Sequence, residues 1–457
     1  MYTRLMITIL SFLTLILLGA CQQAQETSST ASKEINMDPI KIGIILPLTG
    51  SHTSFGEIEK NSFELAAEEI NNAGGINGRE LTLLFEDTQG KPDAARAAVE
   101  KLITQDQVVM LGGGYSSSVT YAVAEVVLRK GFPFLINTAA ADKITEPISF
   151  TSSGQLLESL QARLQAAADP EKITQIKKDI NDITQKVQDE LTLLNDRFPI
   201  FRLNSPVSEY ASGVESFLAE IVKPETAVIL HENTLFGTKG AKAFENSCKK
   251  LGIKVLLSES YDAGTMDFKP LLSRVKETNP SIIYMVSYLM DASRLMNQSM
   301  ELKMNPDLFI GGGGGFTMPE FRENTGKASE KVISSTLWHE SLSIPGAREY
   351  YDKYLKKFNT RTEYHGAAAY AATYVIADVL KRADSHSPYD IKTALSKTDM
   401  MTVFGPVKFT AYAHKVNQNR HATYVVQWLN GRIQMIWPPT LSKVKYSYPI
   451  DWVRERS

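Results

Sequence analysis

From Ile40 onward the chain alternates between short apolar runs and segments whose apolar residues recur at helical spacing. No other feature restricts the fold as strongly. IKIGIILPL (40–48) is an apolar run fit for a buried parallel strand. In the segment after it Ile58, Phe63, Ala66, Ala67 and Ile70 recur at helical spacing, and Gly74-Gly75 stops the helix. ELTLLFED with PDAARAAVEKLIT, and VVMLGG with SVTYAVAEVVLRKG, repeat the cycle before FPFLIN. Strand and helix alternating at this length predict parallel βαβ units in a doubly wound α/β lobe.

A second series starts near Ile200. IFRLN, TAVILHE, IKVLLSES, SIIYMVS and LFIGGGGG read as strands, separated by helical segments such as FGTKGAKAFENSCKKLG and DASRLMNQSMELKM. VISSTLW follows, then three helical stretches between Gly346 and Leu395, then VKFT and a strand pair turning at Asn430-Gly431. At 457 residues the chain is too long for one small core. The expected organisation is an N-terminal lobe of 39–204 plus 337–415 and a C-terminal lobe of 205–336 plus 416–457, with the chain crossing between them more than once.

The segment 154–196 breaks the cycle. Leu157, Leu160, Leu164 and Ala167 step by three and four, as do Ile173, Ile176, Ile180, Ile183, Val187, Leu191 and Leu194. ADPE divides the two runs, with Asp169 as N-cap and Pro170 at the first helical position. This predicts an antiparallel helical hairpin, its second helix roughly 35–40 Å long at 1.5 Å per residue.

The first twenty residues carry the three-part layout of a secretory signal: MYTR, the apolar LMITILSFLTLILL, and Gly19-Ala20 before Cys21. The apolar run is short for a membrane span; a short anchor helix is the alternative. LGAC (18–21) resembles the bacterial lipobox. That likeness implies lipidation of Cys21, membrane attachment through several acyl chains, and residence in the periplasm or at the cell surface. Residues 21–38 read as a polar tether. The second cysteine, Cys248, reads as a buried helix residue. Two cysteines and seven histidines give no metal-ligand spacing, and no cofactor is expected. A net charge of −2 points away from nucleic acid.

LGGGYSSSVT (111–120) is open to three chemistries. A phosphate loop needs a lysine the stretch lacks. A nucleophile elbow needs a second glycine after the serine, also lacking, and the sequence places no partner histidine. The third is a helix start after a strand's carboxyl end. Unpaired N–H groups, the positive dipole end and a serine hydroxyl there hold an anion or carbonyl oxygen. A plain serine N-cap without ligand is the bland alternative.

Residues 40–119, and INNAGGINGRELTLLFEDTQGKP most specifically, strongly resemble the N-terminal part of bacterial leucine/isoleucine/valine-type substrate-binding proteins of ABC importers. The likeness continues through FGTKGAKAFENSCKKLG, SIIYMVSYLMDASRLMNQSMEL and YHGAAAYAATYVIADVL to about Trp437; the hairpin is not part of the usual pattern. The resemblance implies a type I periplasmic-binding fold: two doubly wound Rossmann-like lobes, joined by a three-strand hinge, closing on a small solute. It assigns the solute's carboxylate to Ser116, flanked by Tyr115 and Ser117, and the next ligand loop to Thr138, Ala139 and Ala140. Phe55, Phe236 and Tyr288 match aromatics of the cleft, with ordinary core packing as the alternative for each. Gly313 stands near the position where amino-acid binders of the family carry a glutamate for the ligand's ammonium. Either another acid serves here, with Asp291 and Glu232 the nearest candidates, or the solute has no α-amino group; the glycines would also leave room for a bulkier solute. The expected function is a lipid-anchored solute receptor delivering to an ABC permease, without enzymatic activity. A sensory binding protein using the hairpin as a docking or self-association arm, and a secreted hydrolase using Ser116, are the alternatives.

Overall fold

The computed structural model describes residues 38–195 and 197–456; the signal segment, Cys21 and most of the tether lie outside them. The first half contributes β1 (Ile40–Leu46), β2 (Leu81–Asp87), β3 (Met110–Gly113), β4 (Phe134–Ile136) and β5 (Ile200–Arg202). The second contributes β6 (Thr226–Glu232), β7 (Lys254–Tyr261), β8 (Ile282–Val286), β9 (Leu308–Gly311) and β10 (Ile333–Thr336). Then follow β11 (Asp399–Thr402), β12 (Gly405–Lys408), β13 (Thr410–Tyr412), β14 (Lys415–Gln418), β15 (Tyr424–Leu429) and β16 (Arg432–Trp437). They form two seven-stranded sheets in the orders β13-β14-β5-β4-β3-β1-β2 and β16-β15-β10-β9-β8-β6-β7, with β11 and β12 as a separate hairpin. In each sheet the five strands from the first or second series are parallel.

The sequence pattern accounts for this order. β1 is flanked by parallel partners on both edges and buries every side chain but Lys41, as a central parallel strand must. Between strands lie α1 (Thr53–Asn72), α2 (Pro92–Thr104) and α3 (Ser117–Lys130) in lobe 1. The hairpin is α4 (Ser152–Ala166) and α5 (Pro170–Asn195). Lobe 2 carries α6 (Ser212–Phe217), α7 (Leu235–Leu251), α8 (Lys269–Thr278), α9 (Leu289–Glu301) and α10 (Pro319–Thr325). After them come α11 (Ala347–Phe358), α12 (Tyr364–Arg382), α13 (Pro388–Ser396) and the short α14 (Trp452–Arg456). α12 packs against α1, where buried Ala66 and Ala67 meet a helix whose buried face is rich in alanine, so the two backbones approach closely. Cys248 is buried on α7, and burial pushes its thiol up to about 12, which keeps it protonated.

The chain passes between lobes after β5, after β10 and after β14. The first and third passages lie side by side: Asn419 N donates to Arg202 O, and His421 N donates to Ser205 Oγ. The 415/416 boundary expected from the sequence would cut β14, whose Gln418 pairs with Arg202 in the first sheet; the passage falls at 419–423. Gln418 is held there because its side-chain oxygen accepts from the buried Arg202 Nε at 2.6 Å and its amide donates to Asn204 O at 2.6 Å.

The hairpin is antiparallel, and Asp169 caps α5 by accepting from Glu171 N at 2.9 Å. Leu160, Ile176, Ile183 and Val187 form a buried cluster of their own. The longer helix finds part of its cover on its own lobe: Ile148 packs on the same cluster as Leu191, and Leu194 joins the lobe 1 core; within the hairpin Glu190 accepts from Ser153 at the start of α4. Among the described residues no helix is long and apolar enough to cross a membrane.

Candidate functional site

The lobe 1 wall is built on the carboxyl ends of β1, β3 and β4. After β3 the chain turns through Gly113 and Gly114 with φ of +99° and +93°. A Cβ on Gly113 would lie 2.4 Å from Ile45 O, so the turn needs glycine on both counts. The turn delivers Tyr115 onto Phe55, stacked at 4.3 Å, and sets Ser116 as N-cap of α3. Ser116 makes no capping bond to its own helix. Ser117 Oγ accepts from Ala140 N and Ala141 N at 3.3 and 3.1 Å, tying the loop after β4 to the helix start.

That loop is engaged inside its own lobe. Ala139 N donates to Gly114 O. Thr138 Oγ1 and Asn137 Nδ2 donate to Glu59 at 2.7 and 2.8 Å. Glu59 on α1 is fully buried, and burial pushes its carboxyl up to about 7 against the opposing pull of His365 and those two donors. His365 in turn shares a 2.7 Å contact with Glu363, which caps α12 by accepting from His365 N. Thr138, Ala139 and Ala140 thus line a network within lobe 1, the Thr138 hydroxyl and the Ala139 and Ala140 N–H groups already committed.

The lobe 2 wall lies at the ends of β6, β8 and β9. Thr234 caps α7 and aims Phe236 at Tyr288, with which it stacks at 5.3 Å. Tyr288 is the N-cap of α9, and its N–H donates to Glu232 Oε1 at 2.5 Å. Glu232 is fully buried at the end of β6; burial, with a smaller contribution from Asp291, pushes it up to about 8. Asp291 is already paired, accepting from Gly264 N at 2.8 Å and Arg294 at 3.0 Å. The glycine run after β9 leaves no room for a bulkier solute, contrary to expectation. The space is taken by protein side chains: an added Cβ would meet Phe316 at 2.3 Å from Gly311, Tyr284 at 2.6 Å from Gly312 and Tyr210 at 3.1 Å from Gly313.

The two walls meet through aromatic rings. Tyr288 lies 5.4 Å from Tyr115, 4.6 Å from His52 and 6.4 Å from Phe55. Its hydroxyl faces the Ser116 side chain and the Ser117 backbone N–H. Two further bonds cross between lobes: Thr317 Oγ1 donates to Glu363 Oε2 at 3.1 Å, and Gly314 N donates to Tyr364 Oη at 3.2 Å. Beside the first of these a cavity of about 590 Å³ is lined by Arg348 and Arg361 from one side and by Pro319, Arg322 and Arg432 from the other. Phe55, Tyr115, Ser116, Ser117, Phe236 and Tyr288 are therefore brought together, and Gly313 lies beside Tyr210, whose ring is 6.2 Å from that of Phe236.

Sequence reasoning missed His52, Glu59, Glu363, His365 and Tyr364. His52 stands three residues before Phe55 in the loop leaving β1, at the carboxyl edge where α/β sheets place ligands. Glu363 and His365 open an otherwise apolar helix, and polar residues at that point are the signal for a helix end that faces another lobe.

A family profile described as periplasmic binding protein matches residues 39–432. Leu/Ile/Val-binding protein homolog 8 of Brucella suis biovar 1 is 25% identical over 427 residues, covering 92% of this chain and 96% of its own. Homolog 7 of Brucella melitensis biotype 1 is 23% identical over 413 residues, covering 87% and 91%. Among solved structures, the branched-chain amino acid transporter substrate binding protein LivJ from Streptococcus pneumoniae, in complex with isoleucine, superposes with a TM-score of 0.70. Its identity is 22%, over 88% of this chain and 100% of its own. A solute binding protein of an ABC transporter from R. palustris, in complex with benzoate, superposes with a TM-score of 0.69 at 15% identity, over 87% and 95%. These structures share the two-lobed fold, and the profile spans both lobes and the passages between them: the chain belongs to the periplasmic binding protein family.

Proposed function

We propose that this chain is an extracytoplasmic solute receptor that captures a small carboxylate-bearing solute between its lobes and delivers it to an ABC permease. One observation carries the reading. The Ser116 hydroxyl makes no capping bond to its own helix, and it and the Ser117 N–H, both at the start of α3, lie near the Tyr288 hydroxyl on the facing wall. Two donors at the positive end of a helix dipole are suited to a carboxylate. When the lobes part, Tyr288 leaves with lobe 2 and the donors open to solute. Phe55, Tyr115, Phe236 and Tyr288 then pack on the solute body, and closure brings both walls onto it. Relatives described as Leu/Ile/Val-binding and neighbours solved with isoleucine or benzoate support a small organic acid.

The lipid anchor at Cys21, the lobe boundaries and a partner for the hairpin belong to the same proposal. Native mass measurement of solute carried through purification tests the capture. A wild-type protein that turns its bound molecule over, with turnover abolished in Ser116→Ala, would favour the hydrolase instead. Cys21→Ser should free the protein from membranes; a variant that stays membrane-bound with unchanged processed mass removes the anchor from the proposal.

A further inference from the structure

The cavity of about 590 Å³ beside the Thr317–Glu363 bond shares no residue with the ring cluster. Its volume is that of a pocket for a small molecule. Four arginines line it, two from each lobe: Arg348 on α11 and Arg361 in the turn before α12, Arg322 on α10 and Arg432 at the start of β16. Two of them are neutralised within their own lobe. Arg348 pairs with Asp352 at 2.8 Å, and Arg322 pairs with Glu330 at 3.3 Å. The side chains of Arg361 and Arg432 have neither an ion pair nor a hydrogen bond among the described residues.

The acids of the lining do not supply the missing partners. Glu363 has both oxygens engaged, one by Thr317 and the other by His365. Glu340 meets His339 Nε2 at 3.4 Å, and Glu323 lies exposed on α10. Both free arginines stand on anchored backbone. Glu330 fixes the turn that leads into Arg432, accepting from Asn430 N at 2.6 Å and Gly431 N at 3.1 Å. Next to Arg361 the buried Thr362 shares a 2.7 Å hydroxyl contact with Tyr350. Arg348 lies over the Tyr351 ring at 5.4 Å, and that ring also lines the cavity. Burial and Glu340 push the Tyr351 hydroxyl above its ordinary range, while Arg361, Arg348 and Arg432 all pull it down. The fields of three guanidinium groups therefore overlap there.

We infer that this cavity is a second ligand site, for an oxyanion of two or more charges, and that the ion held there joins the lobes in their closed arrangement. Guanidinium groups take carboxylate and phosphate oxygens in pairs, and Arg361 and Arg432 offer one such fork from each lobe. Without the ion, closure gathers unpaired like charges into one cavity, which opposes it. The inference rests on the lobes moving as a receptor's do, and is independent of the solute in the cleft.

The test uses the full chain and three probes at equal ionic strength: inorganic phosphate, citrate and acetate. Calorimetry should show phosphate or citrate binding at least tenfold more tightly than singly charged acetate, and the tighter of the two tells a phosphate source from a carboxylate source. Arg361→Gln and Arg432→Gln should each weaken that binding at least tenfold; both arginines are exposed, so the fold is kept. Arg274→Gln, an exposed arginine paired with Glu259, should leave it unchanged, and so should Ser116→Ala in the cleft. Small-angle scattering gives the second reading. The tighter ion should lower the radius of gyration of the solute-free chain, and either arginine variant should abolish the change. If acetate binds as tightly, if Ser116→Ala removes the binding, or if either arginine variant retains it, the site is overturned. If binding needs both arginines but the radius stays fixed, the joining of the lobes is overturned, and the mass of solute carried through purification judges the receptor reading separately.

Discussion

Ser116 holds the N-cap of α3 without a side-chain capping bond, and its hydroxyl lies near that of Tyr288 in the other lobe. A serine in that place ordinarily stabilises its helix by about 1 kcal/mol. Here that contribution is absent, so Ser116→Ala should leave thermal stability nearly unchanged. It should lower solute affinity roughly tenfold to a hundredfold, the loss of one bond to a charged group at about 1.5–3 kcal/mol. Calorimetry and a melting curve on the same sample check both halves; a large fall in melting temperature with intact affinity would return Ser116 to a structural role. The buried acids make a separate prediction. Glu59 and Glu232 rise from 4.5 to about 7 and about 8, so the folded chain keeps protons that the unfolded chain has released. Their contribution to stability is fully present below pH 4.5 and is lost as pH rises through 7 and 8. His52 and His421, lowered by burial from 6.5 to about 4, act in the opposite sense: their contribution is present above 6.5 and lost as pH falls through 4. Above pH 6.5 the two acids act without that opposition. Melting temperature should fall from pH 6.5 to 8.5, and Glu59→Gln with Glu232→Gln should flatten the slope. An equal slope in the double variant would contradict this.

At the scale of elements, apolar runs and helical periodicity located the strands and helices because burial on a sheet or a helix face acts residue by residue. Asn430 and Gly431, with φ of +53° and +70°, form the tight turn their identities suggested. The cleft was less legible. Ser116, Tyr115 and Tyr288 were visible through their motif context. Glu59 was not: it sits on α1 among core residues, and its partners Asn137 and Thr138 are about eighty positions away. Nothing local in a helix announces such a bond. The glycine run misled for a related reason. Absence of side chains reads as space, yet Tyr210 and Tyr284 fill it from distant segments and Phe316 folds back over Gly311 from the end of the same run. The hairpin was legible because α4 and α5 satisfy each other. Leu160, Ile176, Ile183 and Val187 each contribute on the order of 1.5–3 kcal/mol by burial, within the hairpin itself. Replacing 154–196 with a short Gly/Ser linker should therefore leave both lobes folded and solute affinity unchanged. Calorimetry beside light scattering checks this. A folded deletion variant that binds no solute would show that the hairpin shapes the cleft.

The whole molecule is a pair of lobes whose contact must be strong enough to hold a solute and weak enough to release it. At the cleft the ring contacts of Tyr288 are joined by two bonds, from Thr317 to Glu363 and from Gly314 to Tyr364, and each bond joins the lobe 2 turn after β9 to the start of α12. α12 itself is packed on α1 and cannot follow lobe 2 without disturbing the lobe 1 core. The bonds therefore form on closure and break on opening, and their strength enters the closing equilibrium directly. A single intramolecular hydrogen bond contributes about 0.5–1.5 kcal/mol, so each one removed should shift the equilibrium toward the open form by roughly twofold to tenfold. Thr317→Ala and Tyr364→Phe remove one partner each while leaving the lobe cores in place. Solute affinity should fall by the same factor, because only the closed form holds solute from both sides. The anion cradle is untouched, so the loss should appear as faster dissociation. Small-angle scattering gives the second reading: the radius of gyration of the double variant should need more solute than the wild type to reach its compact value. Unchanged dissociation in the double variant, or a wild-type radius that does not respond to solute, would mean that these bonds do not govern closure.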